Sequence, residues 1–403
     1  MEKVKQVYIA SNGCNRRLLD ADRVRRYFLQ NGWKITHSPK EADYNIFFAS
    51  ALNRIRIDES FDIIKRLTRY SGETIVLGCV MEVAPTEFQE RWKGKFLAIK
   101  DMHEFDSFFP GFRYKYLDIP PGNTPIRPGN IYKAVSPDVF LRQRLSLALN
   151  PVRLADKFYS YLHREQKENY DTTFIWVSNG CPNKCSFCAE RKVIGELHSR
   201  PVDEIVGEYG RMLDQGRRNF EFIGDDVGSY GLDINSSFPV LVQALNERDA
   251  DYEVHWVIKH LHPKFIIKYQ DDLIHLARSG KVTEIICCFQ SGSNRMLELM
   301  NRQHTIEEVI STLQRFREVL PEIKLATNII VGFPTETDEE FDQTLAVFDQ
   351  VWFDRVHMIK YYDAEGSDSH ELQPKVSDEA IAGRIKRAKK FLKQRGIYFQ
   401  TRD

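Results

Sequence analysis

The sequence has no excess of either charge, no long apolar run and no apolar leader at its start. Its 57 basic residues equal its 57 acidic residues, so the formal net charge is zero. We do not expect such a chain to bind nucleic acid or an anionic membrane over its whole surface, although a local patch could do so. No apolar run reaches the roughly 18 to 20 residues that a membrane span needs. These absences predict a cytoplasmic protein with no membrane partner.

The chain has seven cysteines, an odd number that does not suit a framework of disulfides. Three of them, Cys181, Cys185 and Cys188, lie close together just beyond a predicted strand. This spacing allows one loop to place three thiolates around one metal centre, and thiolates suit iron–sulfur clusters or zinc. A four-iron cluster with three cysteine ligands would keep one iron open for a non-protein ligand. The alternatives are a zinc site completed by His198, or ordinary core cysteines.

Strands and helices alternate along most of the chain, which predicts an α/β fold with parallel sheets. In the first hundred residues, strand-like runs cover 5–10, 44–49 and 74–77, with helical periodicity between them. From residue 173 onward, six more strand-like runs fit an open barrel of parallel strands. They are TFIWVS, FEFIG, YEVHWVI, EIICCF, KLATNIIVGF and RVHMIKYY. In such folds the chemistry lies at the carboxyl ends of the strands.

We therefore predict four segments along the chain. They are an α/β domain over 1–100, a linker and helical insert over 101–170, the barrel over 171–380 and a basic C-terminal helix over 381–403. The insert holds arginines that could bind an anionic substrate, form a lid, or serve packing or dimerisation: Arg142, Arg144, Arg153 and Arg164. From Arg384 onward the chain has eight basic residues and one acid, which indicates a solvated helix face or an RNA-binding arm.

Cys14 and Cys79 are far apart in sequence, but each follows a predicted strand of the first domain. Because the ends of parallel strands meet at one edge of a sheet, we expect the two thiols to lie near each other. The strand YNIFFA brings a third residue, Ser50, to the same edge. A serine oxygen is a harder ligand than a thiolate and a poorer one for iron in a sulfur cluster.

The three clustered cysteines form the motif C-x3-C-x-Φ-C, with Phe187 in its aromatic position. This motif resembles the signature of radical S-adenosylmethionine (radical SAM) enzymes. Further motifs follow in an order that resembles the methylthiotransferase branch, which modifies tRNA adenosine or a ribosomal-protein aspartate. They are SNGC, EADYNIFFAS and VLGC in the first domain, then IGDDVGSYG, HPK, QSGSNRMLELMNRQHT, NIIVGFPTET and FDRVHMIKY. The resemblance implies a flavodoxin-like N-terminal domain followed by a partial (β/α)6 TIM-type barrel.

The resemblance also implies that Cys181, Cys185 and Cys188 hold a [4Fe-4S] cluster whose open iron binds S-adenosylmethionine. A reducing partner such as flavodoxin or ferredoxin would supply an electron, and cofactor cleavage would give a 5′-deoxyadenosyl radical that abstracts hydrogen from an unactivated carbon. The residues implied to lie near the cofactor are Phe187, Gly224, Asp225, Asp226, Gln290, Ser291, Ser293, Asn328 and Val331. From the residues alone, the glycine is equally a turn, and the two aspartates could cap a helix or turn.

The chain departs from the family in three respects. Three N-terminal cysteines hold an auxiliary cluster in the family, and here Ser50 stands between Cys14 and Cys79. The cluster could persist with another ligand, be smaller or labile, or be lost. We find no match to the family's C-terminal TRAM domain, and we therefore expect a small-molecule or peptide substrate rather than tRNA. The segment 101–170 is also longer than the family leads us to expect.

These observations predict a radical SAM enzyme that inserts sulfur, or transfers a methylthio group, at an unactivated C–H bond. One alternative keeps the radical chemistry without sulfur transfer and uses the N-terminal domain to bind substrate. An alternative of another class is a zinc-stabilised RNA-binding protein.

Overall fold

The computed structural model of the protein describes residues 4–123 and 172–402, and it divides into two compact units. The first unit contains the N-terminal residues together with Lys192–Ile194 and Ala364–Gly366. The second unit contains the other described residues. The predicted helical insert falls outside the described residues, as do the arginines named in it: Arg142, Arg144, Arg153 and Arg164.

The N-terminal unit is built on a parallel sheet with the strand order β2-β1-β3-β4-β5. Its strands are β1 (Gln6–Ser11), β2 (Lys34–Ile35), β3 (Tyr44–Ala49), β4 (Glu73–Gly78) and β5 (Lys95–Ala98). Its helices are α1 (Asn15–Gln30), α2 (Arg54–Leu67), α3 (Val80–Val83) and α4 (Pro85–Arg91). This strand order is that of flavodoxin-like sheets, so the predicted fold of the first domain is confirmed.

Apolar side chains from the strands and from α1 form the core of this unit. Val24 and Phe28 of α1 belong to the same buried cluster as Ile46 of β3 and Ile75 of β4. A parallel sheet covered by helices is buried on both faces, which explains why its central strands are near-continuous apolar runs. The helices α1, α2 and α3 follow β1, β3 and β4, so the connecting turns lie at the carboxyl edge of the sheet.

The second unit contains a seven-stranded parallel sheet whose strands are arranged in their sequence order. They are β6 (Thr173–Trp176), β9 (Asn219–Ile223), β10 (His255–Leu261), β11 (Val282–Cys287), β12 (Lys324–Val331), β13 (Arg355–Lys360) and β14 (Tyr398–Arg402). A short antiparallel pair, β7 (Ser178–Asn179) and β8 (His198–Ser199), follows β6. Each of the first six strands of the large sheet overlaps one of the six predicted runs, which confirms the partial barrel, although β10 begins and ends three residues later than the run YEVHWVI.

Helices connect these strands, and several begin at a side chain that caps the helix. They are α5 (Arg191–Ile194), α6 (Val202–Asp214), α7 (Phe238–Arg248), α8 (Pro263–Lys268), α9 (Gln270–Ala277), α10 (Asn294–Leu299), α11 (Ile306–Val319), α12 (Asp338–Gln350) and α13 (Asp378–Gln394). Thr305 and Thr337 open α11 and α12 with capping boxes to Glu308 and Glu340. In the two described ranges, no helix combines the length and the apolar character that crossing a membrane requires.

The C-terminal segment differs from the prediction of one basic helix over 381–403. The helix α13 ends at Gln394, and Gly396 has a left-handed φ of 70° that turns the chain out of the helix. The chain then adds β14, which pairs in parallel with β13. This strand was missed because five residues of mixed polarity give only a weak strand signal.

The basic residues of α13 form ion pairs with α12 and the turn before it. Arg384 is buried and contacts Glu336 at 2.9 Å and Asp338 at 2.8 Å. Arg387 lies 3.2 Å from Asp342 on α12. These contacts give part of the basic helix a role in holding the barrel together.

Candidate functional site

The loop that carries the three clustered cysteines begins directly after β7. Cys185 is buried, and Cys181 and Cys188 are half-buried. The loop turns between its last two cysteines, where the Cys188 N–H donates to the Cys185 carbonyl at 3.1 Å. The three cysteines stand within eight residues of one another in this loop. The loop therefore carries all three of the predicted thiols.

Burial is the main influence on the acidity of two of these thiols. It raises the pKa of Cys181 to about 11, with a further contribution from Asp226. It raises the pKa of Cys188 to about 12, with a further contribution from Glu190. Both thiols are therefore protonated at neutral pH, and a bound metal centre would displace their protons. Three sulfur donors on one loop fit the ligand chemistry of an iron–sulfur cluster.

A site for a single metal ion makes a stricter geometric demand. A zinc ion holds all its donors at about 2.0 to 2.3 Å. Across residues 4–123 and 172–402, no three His, Cys, Asp or Glu side chains are grouped in a way that could hold one ion. His198, named above as a zinc ligand, is exposed in β8. The thiolates of a four-iron cluster bind different irons, so a cluster does not require its ligands to converge on one point.

The turn after α10 is hydrogen-bonded to the cysteine loop at several points. The Ser186 N–H donates to the Met300 carbonyl at 3.1 Å, and its hydroxyl donates to the Leu299 carbonyl at 2.7 Å. The Asn301 side chain donates to the Lys184 carbonyl at 2.8 Å. Backbone carbonyls of the turn and of the loop, together with the Ser186 N–H, take part in these hydrogen bonds, which hold the cysteine loop in place.

The same turn presents Arg302 to the sulfur of one cysteine. Its Nη1 donates to Cys185 Sγ at 3.1 Å, and its Nη2 donates to the Cys288 carbonyl at 2.7 Å. The guanidinium carbon lies 5.9 Å from the centroid of the Phe187 ring. Phe187 packs against Met300 and neighbouring apolar residues, so the aromatic position of the motif is anchored in the barrel core.

Asp226 connects the end of β9 to the cysteine loop. Its Oδ2 accepts from Asn183 Nδ2 at 2.5 Å, and Asn183 Nδ2 also lies 3.3 Å from Cys181 Sγ. Its Oδ1 accepts from the N–H groups of Gly228 and His262, each at 3.2 Å. Burial raises the pKa of Asp226 to about 6, and these hydrogen bonds oppose the rise. Asp226 thus caps a turn, which is one of the roles that the sequence predicts for it. It also contacts Asn183, which in turn contacts Cys181 Sγ.

Gly224 and Asp225 occupy the same strand end. Asp225 Oδ2 accepts from the Gly180 N–H at 2.8 Å, directly before Cys181. A Cβ atom at Gly224 would lie 3.1 Å from Ser178 Oγ, so the backbone passes close to β7 at this point. The run from Gly224 to Asp226 therefore lies against the start of the cysteine loop.

Gln290, just beyond the carboxyl end of β11, meets Asn328 within β12. The Gln290 N–H donates to the Asn328 carbonyl at 3.0 Å, and Gln290 has a left-handed φ of 71°. Its Oε1 is buried and has no hydrogen-bond donor among the described residues, so it is an acceptor that a ligand could satisfy. Asn328 Oδ1 lies 3.0 Å from His357 Nδ1, and Val331 is fully buried.

The hydroxyl groups of Ser291 and Ser293 already have partners inside the fold. Ser291 is fully buried, and its Oγ lies 3.3 Å from Thr344 Oγ1. Ser293 caps α10 and donates to Glu340 Oε1 at 3.0 Å. These contacts give both serines a structural role at a strand end.

In the N-terminal unit, Ser50 and Cys79 follow the neighbouring strands β3 and β4, and Cys14 caps α1 after β1. Ser50 and Cys79 are buried, whereas Cys14 is exposed. The Ser50 N–H donates to Asn12 Oδ1 at 2.9 Å, and Ser60 Oγ donates to the Ser50 carbonyl at 2.8 Å. The predicted residues thus follow three adjacent strands at one edge of the sheet.

Gly78 explains how Cys79 reaches this edge. The Cys79 N–H donates to the Ala49 carbonyl at 2.9 Å. A Cβ atom at Gly78 would lie 2.3 Å from the Ala49 oxygen, and its φ of 130° is one that side chains disfavour. Only glycine lets β4 approach β3 this closely before the cysteine.

The sequence interpretation assigned no role to three residues that the structure places at these sites: Arg302, Asn183 and Asn12. Each stands inside a motif that had been singled out, namely MNRQHT, CPNKC and SNGC. The motifs indicate which segments belong to a site. They do not indicate which side chain contacts a sulfur or a distant carbonyl, because the three-dimensional fold sets such contacts.

Comparison with protein families gives two matches that follow each other along the chain. The model of the Radical SAM superfamily matches residues 175–348. The model of the Uncharacterized protein family UPF0004 matches residues 6–98. The matched ranges fall in the barrel and in the flavodoxin-like domain, respectively.

Curated relatives and solved structures extend these matches. The chain is 28% identical over 402 residues to the "Ribosomal protein uS12 methylthiotransferase RimO" of Aeromonas hydrophila, and the match covers 96% of this chain and 81% of the relative. The protein of the same name from Colwellia psychrerythraea is 28% identical over 395 residues and is covered over 79% of its length, with 96% of this chain covered.

Among solved structures, the radical S-adenosylmethionine methyltransferase TsrM from Kitasatospora setae has a TM-score of 0.59 at 13% identity, covering 88% of this chain and 72% of TsrM. The cobalamin-dependent S-adenosylmethionine radical enzyme OxsB has a TM-score of 0.56 at 11% identity, covering 97% of this chain and 56% of OxsB. At these identities the likeness concerns the fold. The two family matches and the RimO relatives support a radical SAM, methylthiotransferase-like family for the chain.

Proposed function

We propose that Cys181, Cys185 and Cys188 hold a [4Fe-4S] cluster and that the chain uses it with S-adenosylmethionine. The observation that supports this proposal is the loop itself, which carries three cysteines within eight residues just after β7. When bound, the cluster and the cofactor supply one-electron chemistry that protein side chains do not provide.

The side chains around the loop would stabilise and orient the bound groups. Arg302 and Asn183 each direct an N–H group at a cysteine sulfur, and such contacts stabilise thiolate charge. The buried Oε1 of Gln290 would accept a hydrogen bond from the cofactor. We retain Phe187, Gly224, Asp225, Asp226, Asn328 and Val331 as further residues of this cofactor site. Ser291 and Ser293 would support the site through the turn they stabilise.

We further propose that the reaction inserts sulfur, or transfers a methylthio group, at an unactivated C–H bond. Two observations support this: the curated relatives are named methylthiotransferases, and the N-terminal unit places Cys14 and Cys79 after strands of one sheet. The relatives' name gives a ribosomal protein as their target, which favours a peptide or small molecule over tRNA here. A cytoplasmic reductant such as flavodoxin or ferredoxin would supply the electron.

For the N-terminal unit we propose an auxiliary cluster held by Cys14 and Cys79, completed by Ser50 or by an external ligand. Asn12 and Ser60 fix the backbone of Ser50 at the same sheet edge. A harder oxygen ligand would bind iron more weakly than a thiolate, so this cluster is expected to be the more labile of the two.

Radical chemistry without sulfur transfer is the second candidate, and Ser50 is the observation that favours it. If the serine prevents assembly of the auxiliary cluster, the N-terminal unit would serve to bind substrate. The two candidates differ in iron content and in the fate of the cofactor.

Anaerobic reconstitution followed by iron and product analysis tests both candidates. Two cubic clusters correspond to about eight irons per chain and one cluster to about four. A Cys14→Ala and Cys79→Ala double variant should lose the second set of irons and the sulfur-containing product while still forming 5′-deoxyadenosine. If the double variant keeps the wild-type iron content and product, the sulfur-insertion proposal is wrong. If the wild type forms no 5′-deoxyadenosine under reducing conditions, the assignment of the radical site is wrong.

A further inference from the structure

Arg302 is a buried cation that forms no salt bridge within the described parts of the chain. Its side chain is only 4% exposed, and none of the ion pairs in the described parts of the chain includes it. Its two terminal nitrogens donate to Cys185 Sγ and to the Cys288 carbonyl. Its Nε–H is buried without an acceptor among residues 4–123 and 172–402. A buried charge left in this state is costly unless an anion is bound nearby.

The backbone around Arg302 is held in an unfavourable conformation. Asn301 and Gln303, on either side of it, both have a left-handed φ of 55°. The Arg302 N–H donates to the Leu297 carbonyl at 2.9 Å, which closes the turn. Non-glycine residues in this region cost of order 1 kcal/mol each, and such strain persists where the surrounding structure enforces it. The position of this guanidinium against the cysteine loop therefore costs the folded state some conformational free energy.

Arg302 is the buried cation at this point; a second cation, Lys264, is half-buried and donates to Gln303 Oε1 at 3.0 Å. Burial and the charge of Arg302 together keep the pKa of His262 well below its usual range and lower that of His304 to about 4. Both imidazoles are neutral at pH 7. The charge of Arg302 acts to lower the pKa of Asp226, but the hydrogen bonds of this carboxylate come from Asn183 and from backbone N–H groups.

We propose that Arg302 is a positioning residue that raises the reduction potential of the radical cluster through its hydrogen bond to Cys185. On reduction the cluster gains one electron and one unit of negative charge, with no bond formed or broken. A cation that donates to a ligand sulfur stabilises the more negative, reduced state more than the oxidised state. This inference rests on the proposed ligation by Cys185, not on sulfur transfer.

The test is a redox titration of reconstituted protein, with dithionite as the reductant and the electron paramagnetic resonance signal of the reduced cluster as the readout. The variants are Arg302→Met, which removes charge and donors, and Arg302→Lys, which keeps the charge. We expect the methionine variant to shift the one-electron equilibrium about tenfold toward the oxidised state, a fall of about 59 mV in midpoint potential. The lysine variant should recover part of that fall.

Arg317→Met is the matched control. Arg317 likewise donates to backbone carbonyls, those of Trp352 and Ile323, and also to Asp354, but it does so before the first residues of β12 and β13, at the opposite edge of the sheet. Its removal should leave the midpoint potential unchanged. To isolate the radical cluster, all proteins in the comparison carry Cys14→Ala and Cys79→Ala.

Two results would overturn the inference. One is a midpoint potential in Arg302→Met equal to that of its Cys14→Ala, Cys79→Ala parent, with about four irons retained. The other is loss of iron from both Arg302 variants but not from Arg317→Met, which would assign Arg302 to cluster assembly alone. A lowered potential in Arg302→Met, together with a wild type that forms 5′-deoxyadenosine but no sulfur-containing product, would support this inference and contradict the sulfur-insertion proposal.

Discussion

In the barrel, the three proposed cluster ligands come from one loop, whereas in the N-terminal unit they come from the ends of three different strands. The loop fixes its cysteines through short spacing and through backbone contacts to a single neighbouring turn. The N-terminal set depends on the packing of β1, β3 and β4 against one another. A ligand set collected over a sheet can lose one member, as at Ser50, without any change in the spacing of the others.

The largest expected effect comes from breaking the barrel loop. Cys185→Ala removes the buried central thiol, and we expect loss of about four irons and of all 5′-deoxyadenosine formation. Cys79→Ala, the matched change at the strand-end site, should leave 5′-deoxyadenosine formation in place. Iron analysis and chromatography of the reaction mixture measure both effects. Equal loss of radical formation in the two variants would show that the sites do not act separately.

Ser50→Cys should make the strand-end site of the N-terminal unit bind iron more as the barrel loop does. A third thiol at the strand ends replaces a poor oxygen ligand by one that iron in a sulfur cluster prefers. We expect the iron content after reconstitution to rise toward about eight and the second cluster to resist chelators longer. Ser50→Ala is the control, because it removes the oxygen without adding sulfur. An identical iron content in the serine, cysteine and alanine proteins would exclude position 50 from the site.

Gly78→Ala tests whether the strand-end site depends on close packing of the sheet. The added Cβ would meet the Ala49 oxygen at 2.3 Å and would strain a φ of 130°. We expect the N-terminal unit to lose about 2 to 3 kcal/mol of its free energy of unfolding. Urea unfolding, with Gly111→Ala as the control, measures this, because a Cβ at Gly111 would meet no atom within 4 Å. Equal stability of the two variants would show that β4 can move away from β3 at little cost.

A smaller effect concerns the pH dependence of the barrel. Burial raises the pKa of Glu336 to about 7, opposed by the Gly332 N–H and by Arg384, whereas hydrogen bonds from Arg295 lower the pKa of Glu340 to about 2. A raised folded-state pKa means that the folded barrel binds a proton more tightly than the unfolded chain. The stability contributed by Glu336 is therefore lost as the pH rises from about 4.5 through 7.

Glu336→Gln should flatten this dependence, with a change of about 1 kcal/mol in the difference between the unfolding free energies at pH 5 and pH 8. Urea unfolding at the two pH values measures it. Glu340→Gln is the comparison, because the stability contributed by Glu340 is present at neutral pH and is lost only as the pH falls toward 2. If the unfolding free energy of Glu336→Gln changes between pH 5 and pH 8 as much as that of the wild type, other groups cause the pH dependence.

The strands that carry both sites could be predicted from the sequence, because their apolar runs are long and rich in β-branched and aromatic residues. The edge strands β5 and β14 could not, since KFLA and YFQTR are short and give little pattern. The three loop cysteines were recognisable from spacing alone. Arg302 was not, because its contact with Cys185 depends on two left-handed residues that no propensity predicts.

The hydroxyl contacts of Ser291 and Ser293 could not be predicted for a similar reason. The resemblance placed them near the cofactor, and the structure puts them at the predicted strand end. Their hydroxyls bond to Thr344 and Glu340, partners that lie about fifty residues away in sequence. Such pairings arise only when α12 packs onto the end of β11, which no local pattern contains.

The way in which Asn12 and Ser60 hold residue 50 has an evolutionary consequence. Both contacts are made to the main chain of that residue, one to its N–H and one to its carbonyl. The identity of its side chain is thereby uncoupled from the folding of the domain. Serine and cysteine can exchange at this position with little structural cost, so a metal-binding capacity could be gained or given up by a single-residue change while the sheet stays the same.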